Sequence, residues 1–191
     1  MALAVQAWPA LQLHWDDALL VLCIGHPDGT TRASARARIR AALGDALAQT
    51  LGIKAGQVTF DATPGNAPRL LIGGAACTIG VSISHAGNLS LAAVNRIGAV
   101  GVDLMAIDAL PDDWQRVAGD YLGMTVAGRL GASAPARRGH AFAQAWAERE
   151  AHLKLLGLPL AEWTPLPGEC RWRTLALPAG FAGALATQHR A

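Results

Sequence analysis

The chain has 191 residues, a length that suits one domain or two small lobes sharing a core. Apolar residues make up 52% of the chain and charged residues 16%, which argues for a well-buried globule and against disorder. The formal net charge of +2 provides no general attraction to nucleic acid or to a membrane surface.

Three features indicate where the protein works. The cysteines (Cys23, Cys77 and Cys170) are odd in number and widely spaced, as is typical of free thiols in a reducing cytoplasm. The N-terminal stretch MALAVQAWPALQLHW lacks the basic residues that begin a signal peptide. The longest purely apolar run, residues 18–24, is far too short to span a bilayer. We therefore expect a cytoplasmic protein without a membrane segment.

The N-terminal half predicts a strand, a long helix and further strands. Residues 18–24 are apolar and are followed by the turn sequence HPDG, which is typical of a buried strand. Thr30 or Thr31 can cap a helix that runs to about Leu51 and ends at Gly52. Shorter apolar runs predict the other strands of this half, at residues 57–60, 81–84, 89–94 and 99–104.

The C-terminal half begins with a helical region and returns to strands. Residues 111–157 are predicted to be helical, with a break near the sequence GASAP, and strands are expected at 170–177 and 181–187. The order of elements predicts an α/β (α+β) fold with two lobes that divide near residues 95–98. We assign residues 1–97 to the first lobe and 98–191 to the second.

The stretch AWAEREAHLK, residues 145–154, is unusually polar for this chain. Because residues four apart share a helix face, a helix over 139–156 places Glu150 beside Trp146 on the core-facing side. A carboxylate there is costly unless it is paired or binds a metal, and Lys154, one turn later, is an available partner. The alternative is an ordinary Glu–Lys pair on a solvated face.

Lys154 and its neighbours raise two further points. The chain contains only one other lysine, Lys54, and arginine cannot readily replace a compact, proton-transferring ammonium. Glu148 and His152 have the one-turn spacing of metal ligands, but they point away from Glu150, and a zinc site needs more ligands than the sequence offers here. We expect Glu148 and His152 to be surface residues.

Two predicted strands carry candidate functional groups at their ends. The stretch GAVGVDLMAI places Asp103 at the end of a strand, as either a turn former or a functional carboxylate. In VSISHAGNLSLAAV, Ser84 precedes His85, which opens a turn. If both hairpins have four-residue loops, Ser84 and His85 lie two strand spacings from Asp103, about 10 Å. Such a gap suits a charged ligand of several atoms, although His85 taken alone is equally well an ordinary turn histidine.

These motifs together resemble the signatures of one enzyme family, the 4'-phosphopantetheinyl transferases. GVDLM, followed about forty residues later by WAEREAHLK, resembles the family's two signature motifs, roughly G-x-D-x-E and W-x-x-K-E-A-x-x-K. ISHAG resembles the family's serine–histidine segment, and RIRAALGDAL resembles its N-terminal helix. The resemblance extends over residues 18–187 and lies in the order and spacing of the motifs.

The resemblance implies a fold and a reaction. The fold would be two pseudo-symmetric lobes, each a small, largely antiparallel sheet packed with a long helix, with coenzyme A bound in the cleft between them. The reaction would transfer the phosphopantetheine arm of coenzyme A to a serine of an acyl or peptidyl carrier protein and release adenosine 3',5'-bisphosphate. The chain length is similar to that of the family's monomeric class, which serves secondary-metabolism synthases.

The resemblance further implies roles for the residues that would bind coenzyme A. Ser84 and His85 would contact its phosphates, with His85 also counted among the catalytic groups. Arg40 would reach the 3'-phosphate from the N-terminal helix. Arg69 would replace the Lys-Pro pair that is usual in the family's coenzyme loop, here PGNAPRL. Lys154 would hold or protonate the departing phosphate.

The implied metal site departs from the family pattern. Asp103 and Glu150 would hold Mg²⁺ through hard oxygen ligands, and Glu150 would take the serine proton. Met105 stands where a second acidic residue is usual, and a thioether does not suit Mg²⁺, so a water would complete the site. Val126 likewise stands near a usual acidic position. Two alternatives stay open: a non-catalytic relative that binds coenzyme A or a carrier protein, and an unrelated α/β protein.

Overall fold

The computed structural model describes residues 2–61, 68–108 and 110–188, which form a mixed α/β fold. The strands are β1 (Leu3–Ala4), β2 (Gln6–Ala7), β3 (Leu19–Gly25), β4 (Val58–Asp61), β5 (Arg69–Ile72), β6 (Ala75–Ala76), β7 (Gly80–Ala86), β8 (Leu89–Asn95), β9 (Val100–Ala106), β10 (Cys170–Ala176) and β11 (Phe181–Gln188). The helices are α1 (Arg32–Leu51), α2 (Trp114–Leu122), α3 (Met124–Ala132) and α4 (Pro135–Leu156). None of the helices in these ranges is long and apolar enough to cross a membrane.

The predicted N-terminal helix is confirmed at both ends. The Thr31 side chain caps α1 by accepting a hydrogen bond from the backbone N–H of Ser34 at 3.2 Å. Gly52 ends the helix with a positive φ of 66°, a conformation that glycine adopts without steric penalty. The buried stripe of α1 packs against Leu20 and Leu22 of β3. The helix thereby covers one face of a four-stranded sheet.

That sheet, which we call the N-terminal sheet, has the strand order β2-β3-β8-β7. β3 pairs antiparallel with β8, and β7 forms a hairpin with β8. Ala86 pairs with Leu89, so the hairpin turn has only two residues, 87–88, instead of the four assumed from the sequence. The strands predicted at 18–24, 81–84 and 89–94 are confirmed to within a few residues at each end.

A second four-stranded sheet, the C-terminal sheet, has the order β1-β10-β11-β9. β9 pairs antiparallel with β11 along its whole length, so the expected hairpin between β8 and β9 is wrong. Helix α4 packs on this sheet through small residues such as Ala147 and Ala151. The approach is so close that a Cβ at Gly101 of β9 would collide with the backbone of Ala151. β1 also joins this sheet, in parallel with β10.

The two sheets face each other across a shared apolar layer. Because strand side chains alternate, Val21 and Leu91 from the N-terminal sheet meet Val102 and Leu185 from the C-terminal sheet. The layers therefore run helix α1, sheet, sheet, helix α4. A smaller sheet of order β4-β5-β6 lies at one side, with Asp61 opposite Arg69.

The edges of the two large sheets meet at β7 and β9, where serine hydroxyls replace part of a backbone ladder. The Oγ atoms of Ser82 and Ser84 accept hydrogen bonds from the backbone N–H groups of Val102 (3.0 Å) and Leu104 (3.2 Å). Gly80 continues this small-residue face, since a Cβ there would collide with the carbonyl of Gly98. The serines of ISHAG and the aspartate of GVDLM are thus brought to one seam.

The helical region predicted at 111–157 is confirmed, with the expected break near GASAP between α3 and α4 and a further break at Gly123. α2, α3 and α4 enclose an apolar group that we call the helical cluster, formed by Ala118, Leu122, Leu130 and Phe142. Met105 and Val126 both pack against it. The two positions at which an acidic residue was expected therefore contact the same apolar cluster.

Candidate functional site

Asp103 is the central group of the candidate site. It lies on β9 with 7% of its surface exposed, on the strand face that meets α4. Its Oδ1 atom accepts hydrogen bonds from Ser84 Oγ and Lys154 Nζ, both at 2.7 Å. Lys154 also donates to the backbone carbonyl of Val102 at 3.2 Å. A buried carboxylate needs such partners, so Asp103 is a functional or structural carboxylate and not a turn former.

The predicted gap of about 10 Å between Ser84 and Asp103 is wrong, because the two residues form a direct hydrogen bond of 2.7 Å. The error came from treating β9 as the third strand of one sheet, whereas it belongs to the second sheet and abuts β7. A serine hydroxyl has one proton, and Ser84 donates it to Asp103 while accepting from Leu104 N–H. In this structure Ser84 therefore orients the Asp103 carboxylate.

Glu150 lies half-buried on α4, one turn before Lys154. Burial raises the pKa of its carboxyl above the ordinary value, and the nearby Asp103 carboxylate raises it further, while Lys154 and Arg149 act in the opposite direction. Lys154 forms its ion pair with Asp103, so the pairing of Lys154 with Glu150 expected from their spacing is replaced. Two carboxylates and one ammonium thus influence each other between β9 and α4.

The donor set of this site fits Mg²⁺ only in combination with other oxygen ligands. No group of three or more His, Cys, Asp or Glu side chains suited to a metal occurs in residues 2–61, 68–108 and 110–188. Mg²⁺ is commonly held by one or two carboxylates, with waters and substrate phosphates completing its shell. Asp103 and Glu150 provide such a pair, since the Asp103 carboxylate is near enough to add to the effect of burial in raising the pKa of Glu150.

Met105 lies on the same strand as Asp103, two residues further on, but its surroundings are different. The side chain packs against the helical cluster, which includes Leu122 and Phe142. Its thioether therefore has apolar neighbours, and a thioether does not suit Mg²⁺. Val126 packs there as well, which accounts physically for an apolar residue at both positions.

His85 lies within β7 and is half-buried, so it is neither the turn opener nor the ordinary turn histidine considered from the sequence. Its Nδ1 atom is 2.6 Å from Ser90 Oγ. Burial lowers the pKa of His85 to about 4, with smaller contributions from Arg36, Arg32, His26 and Lys154. The imidazole is consequently neutral near pH 7, in strongly cationic surroundings.

Those surroundings come largely from one face of α1. Arg32, Arg36 and Arg40 are spaced four residues apart and form what we call the arginine stripe. The Nε atom of Arg40 is buried and has no hydrogen-bond partner among the described residues. A buried donor of this kind is costly unless an anion or water accepts its hydrogen bond. The stripe was visible in RASARARIR, but only Arg40 was singled out from the sequence.

Arg69 and Lys154 meet at a pocket of about 830 Å³, which we call the Lys154 pocket. Its lining also includes Asp61, Cys77, Gly80, Val81, Val100 and Gly157. Ser84 is connected to this pocket by hydrogen bonds, since it donates to Asp103, which pairs with Lys154. Arg40 and His85 lie on the α1 side of β7. Residues 64–67 of the predicted coenzyme loop PGNAPRL lie outside the described residues, and only its end at residues 68–70 can be placed.

Glu148 and His152, predicted to be surface residues, are only partly exposed. Both line a second pocket of about 230 Å³, together with Trp163 and Trp172. The His152 ring packs edge-on against Trp172 with 5.1 Å between ring centroids, and burial lowers the pKa of His152. The covering segment is fixed by the backbone N–H of Trp163, which donates to the Asp120 carbonyl at 2.6 Å. Helix periodicity cannot show that the chain beyond α4 folds back.

No protein-family profile matches this chain, and none of the curated proteins compared with it is a match.

Proposed function

We propose that the protein is a Mg²⁺-dependent 4'-phosphopantetheinyl transferase, which moves the phosphopantetheine arm of coenzyme A to a serine of an acyl or peptidyl carrier protein. The observation that supports this most is the meeting of Asp103, Glu150 and Lys154 between β9 and α4. One carboxylate comes from GVDLM and the other two groups from WAEREAHLK, so both resembling motifs contribute to one small volume. The product released would be adenosine 3',5'-bisphosphate.

The proposal extends to the architecture. Residues 1–97, apart from β1, which joins the C-terminal sheet, form one of two pseudo-symmetric lobes, and residues 98–191 form the other. The substrate lies in the cleft where β7 and β9 meet. Support comes from the equivalent packing of α1 on the N-terminal sheet and of α4 on the C-terminal sheet. The protein acts as a cytoplasmic monomer, in keeping with its free cysteines.

The charge distribution suits coenzyme A, which carries a pyrophosphate and a separate 3'-phosphate. The arginine stripe and the unpaired Nε of Arg40 provide donors for one phosphate group. Lys154 and Arg69, at the Lys154 pocket, provide positive charge for another. Asp103 and Glu150 would hold Mg²⁺, which supplies neutralising charge to the reacting pyrophosphate.

In the proposed reaction the serine hydroxyl of the carrier protein attacks the phosphorus atom next to the pantetheine arm. The bond from that phosphorus to the oxygen it shares with the 5'-phosphate breaks, and adenosine 3',5'-bisphosphate leaves with the electron pair. Glu150, which lies half-buried beside Asp103 and Lys154, accepts the serine proton. Lys154, held in place by Asp103 and the Val102 carbonyl, stabilises the charge on the leaving phosphate.

Intact-mass analysis of apo carrier proteins incubated with the enzyme, coenzyme A and Mg²⁺ tests the proposal. We expect the mass of the carrier protein to increase by one phosphopantetheine, and we expect no increase when a chelator removes Mg²⁺. Glu150→Gln should reduce the rate by about 100-fold or more, because it removes the proton acceptor and a metal ligand. The matched control is Glu148→Gln on the same helix, which should leave the rate near that of the wild type. Equal rates for Glu150→Gln and the wild type contradict the mechanism.

A second candidate is a non-catalytic relative that binds coenzyme A or a carrier protein. The observation that favours it is the packing of Met105 and Val126 against the helical cluster, in place of acidic side chains. Under this alternative the wild type binds coenzyme A but leaves every carrier protein unmodified. The same incubation, combined with a coenzyme A binding measurement, separates the two.

A further inference from the structure

Ser90 connects two histidines that come from different parts of the chain. It lies in the middle of the N-terminal sheet with none of its surface exposed. Its Oγ atom is 2.6 Å from Nδ1 of His85 and 2.5 Å from Nε2 of His26. His26 follows β3 and is 7% exposed, and its backbone N–H donates to the Asn88 carbonyl in the β7–β8 turn. The three side chains form one buried chain of hydrogen bonds.

The number of protons restricts how this chain can be arranged. A serine hydroxyl has one proton, so Ser90 donates to one histidine and accepts from the other. The Nδ1 atom of His26 is buried and has no partner among the described residues. If Nδ1 carried the proton, a buried N–H donor would stay unpaired, which is rare in native proteins. The proton of His26 is therefore on Nε2, and His26 donates to Ser90.

The direction of the remaining hydrogen bonds follows. Ser90 accepts from His26 and donates its own proton to Nδ1 of His85. The ring proton of His85 is then on Nε2, on the side of the imidazole away from Ser90. Burial lowers the pKa of His26, with a smaller contribution from Arg38, and this is consistent with a neutral ring carrying a single proton.

We propose that His26 and Ser90 are positioning residues that fix His85 as its Nε2–H tautomer, so that a neutral imidazole presents an N–H donor to a phosphate oxygen. The ligand class, a phosphate ester or pyrophosphate, rests on the proposed function and on the positive charges of Arg32, Arg36 and Lys154 around the ring. In the other tautomer Nε2 of His85 would carry a lone pair, and this lone pair would repel the anion. This chain of hydrogen bonds thus provides a donor where burial, and to a smaller extent the neighbouring charges, disfavours a protonated histidine.

Long-range ¹⁵N–¹H correlation NMR on the full-length labelled protein tests the proposal without requiring activity. We expect Nε2 of His85 to carry the proton in the wild type, and inorganic pyrophosphate to shift that signal. Ser90→Ala should leave a mixture of tautomers. A proton found on Nδ1 of His85 in the wild type overturns the inference, whatever the transfer assay shows. If the tautomer is as proposed but no transfer occurs, the proposed function fails and the inference stands.

Steady-state kinetics provide the second readout. Ser90→Ala should raise KM for coenzyme A by about tenfold, the value of one hydrogen bond to a charged group, with a smaller change in kcat. His26→Gln should retain most of the affinity, because its amide N–H can still donate to Ser90, whereas His26→Ala should not. Ser133→Ala, at a serine that bonds the Arg129 carbonyl in the other half, is the matched control. Equal KM values for His26→Gln and His26→Ala contradict the proposed chain of hydrogen bonds. If Ser90→Ala does not fold, the position of the His85 ring proton in the wild type, measured by NMR, tests the proposal.

Discussion

The two sides of the candidate site carry opposite chemistry. The side formed by β7 and α1 presents a neutral histidine, His85, and the arginine stripe. The side formed by β9 and α4 presents two carboxylates, Asp103 and Glu150, together with Lys154, which pairs with Asp103 and lines the Lys154 pocket. Cationic and neutral donors suit phosphate oxygens, whereas paired carboxylates suit a hard cation. This division of charge is what the proposed ligand, a polyphosphate with Mg²⁺, requires.

Removal of Asp103 should have the largest effect, because that residue supports the carboxylate side. Asp103→Ala leaves the half-buried Lys154 and the buried Ser84 without their shared partner. We expect a loss of about 3 kcal/mol in the free energy of unfolding, the usual result of breaking a buried pair, and loss of transfer. Asp120→Ala is the control, because Asp120 pairs with Arg116 at the surface, where screening by solvent should make the loss much smaller. If urea denaturation gives the same loss of unfolding free energy for Asp103→Ala and Asp120→Ala, the Asp103–Lys154 pair stabilises the fold no more than a surface pair does.

Met105→Glu tests whether a third carboxylate on β9, two residues after Asp103, can be accommodated at the candidate site. Because Met105 packs against the helical cluster, an added carboxylate should lower the free energy of unfolding by about 2 kcal/mol. The control is Met124→Glu, since Met124 is 79% exposed and should tolerate the change. A Met105→Glu variant that is as stable as the wild type and binds Mg²⁺ more tightly would contradict this placement and favour a site open to a third carboxylate.

Arg40→Glu tests the cationic side. Reversing the charge should weaken coenzyme A binding by about tenfold, and more strongly at low salt, where partly exposed charges are less screened. Lys54→Glu changes the net charge by the same amount outside the arginine stripe and is the matched control. Calorimetric affinities at two salt concentrations measure the effect. If Arg40→Glu binds coenzyme A as tightly as Lys54→Glu does, Arg40 does not belong to the site.

The lowered pKa of His85 predicts a smaller effect on stability. The unfolded ring takes up a proton near its ordinary value of 6.5, but the folded ring does so only at about 4. Acid therefore favours the unfolded chain: the contribution of neutral His85 is complete above pH 6.5 and is lost as the pH falls through 4. His26 and His152 act in the same direction, and the raised pKa of Glu150 opposes them.

Thermal unfolding of the wild type and of His85→Gln between pH 7 and 4.5 measures this contribution. The midpoint of the wild type should fall more steeply toward acid than that of His85→Gln, because the variant lacks one suppressed proton-binding site. Parallel curves would show that His85 binds protons equally in both states.

Local signals made much of the fold predictable. Thr31 and Gly52 mark the ends of α1 in the sequence, and Gly123 was missed as a break because no proline or polar cap accompanies it. Strand pairing was less accessible: NRIG looks like a hairpin loop between β8 and β9, yet β9 joins β11, more than seventy residues later. Alternation of side chains identifies a strand and its faces, but it does not specify the partner strand.

The candidate site shows the same limit. The spacing of Glu150 and Lys154 correctly placed both on one helix face, but the partner of Lys154 is Asp103, which only the approach of β9 at Gly101 brings within reach. His26 was read as part of a turn, since nothing in HPDG indicates its contact with Ser90. Contacts between distant segments depend on packing, which short motifs do not encode.

The most direct test of the central claim is the affinity of the wild type for coenzyme A with and without Mg²⁺, measured by calorimetry in the absence of a carrier protein. If the carboxylate side holds Mg²⁺ against phosphates bound by the cationic side, Mg²⁺ should tighten coenzyme A binding by about tenfold, and coenzyme A should tighten Mg²⁺ binding by the same factor. Asp103→Ala should abolish this coupling. Identical coenzyme A affinities in Mg²⁺ and in chelator would contradict the account.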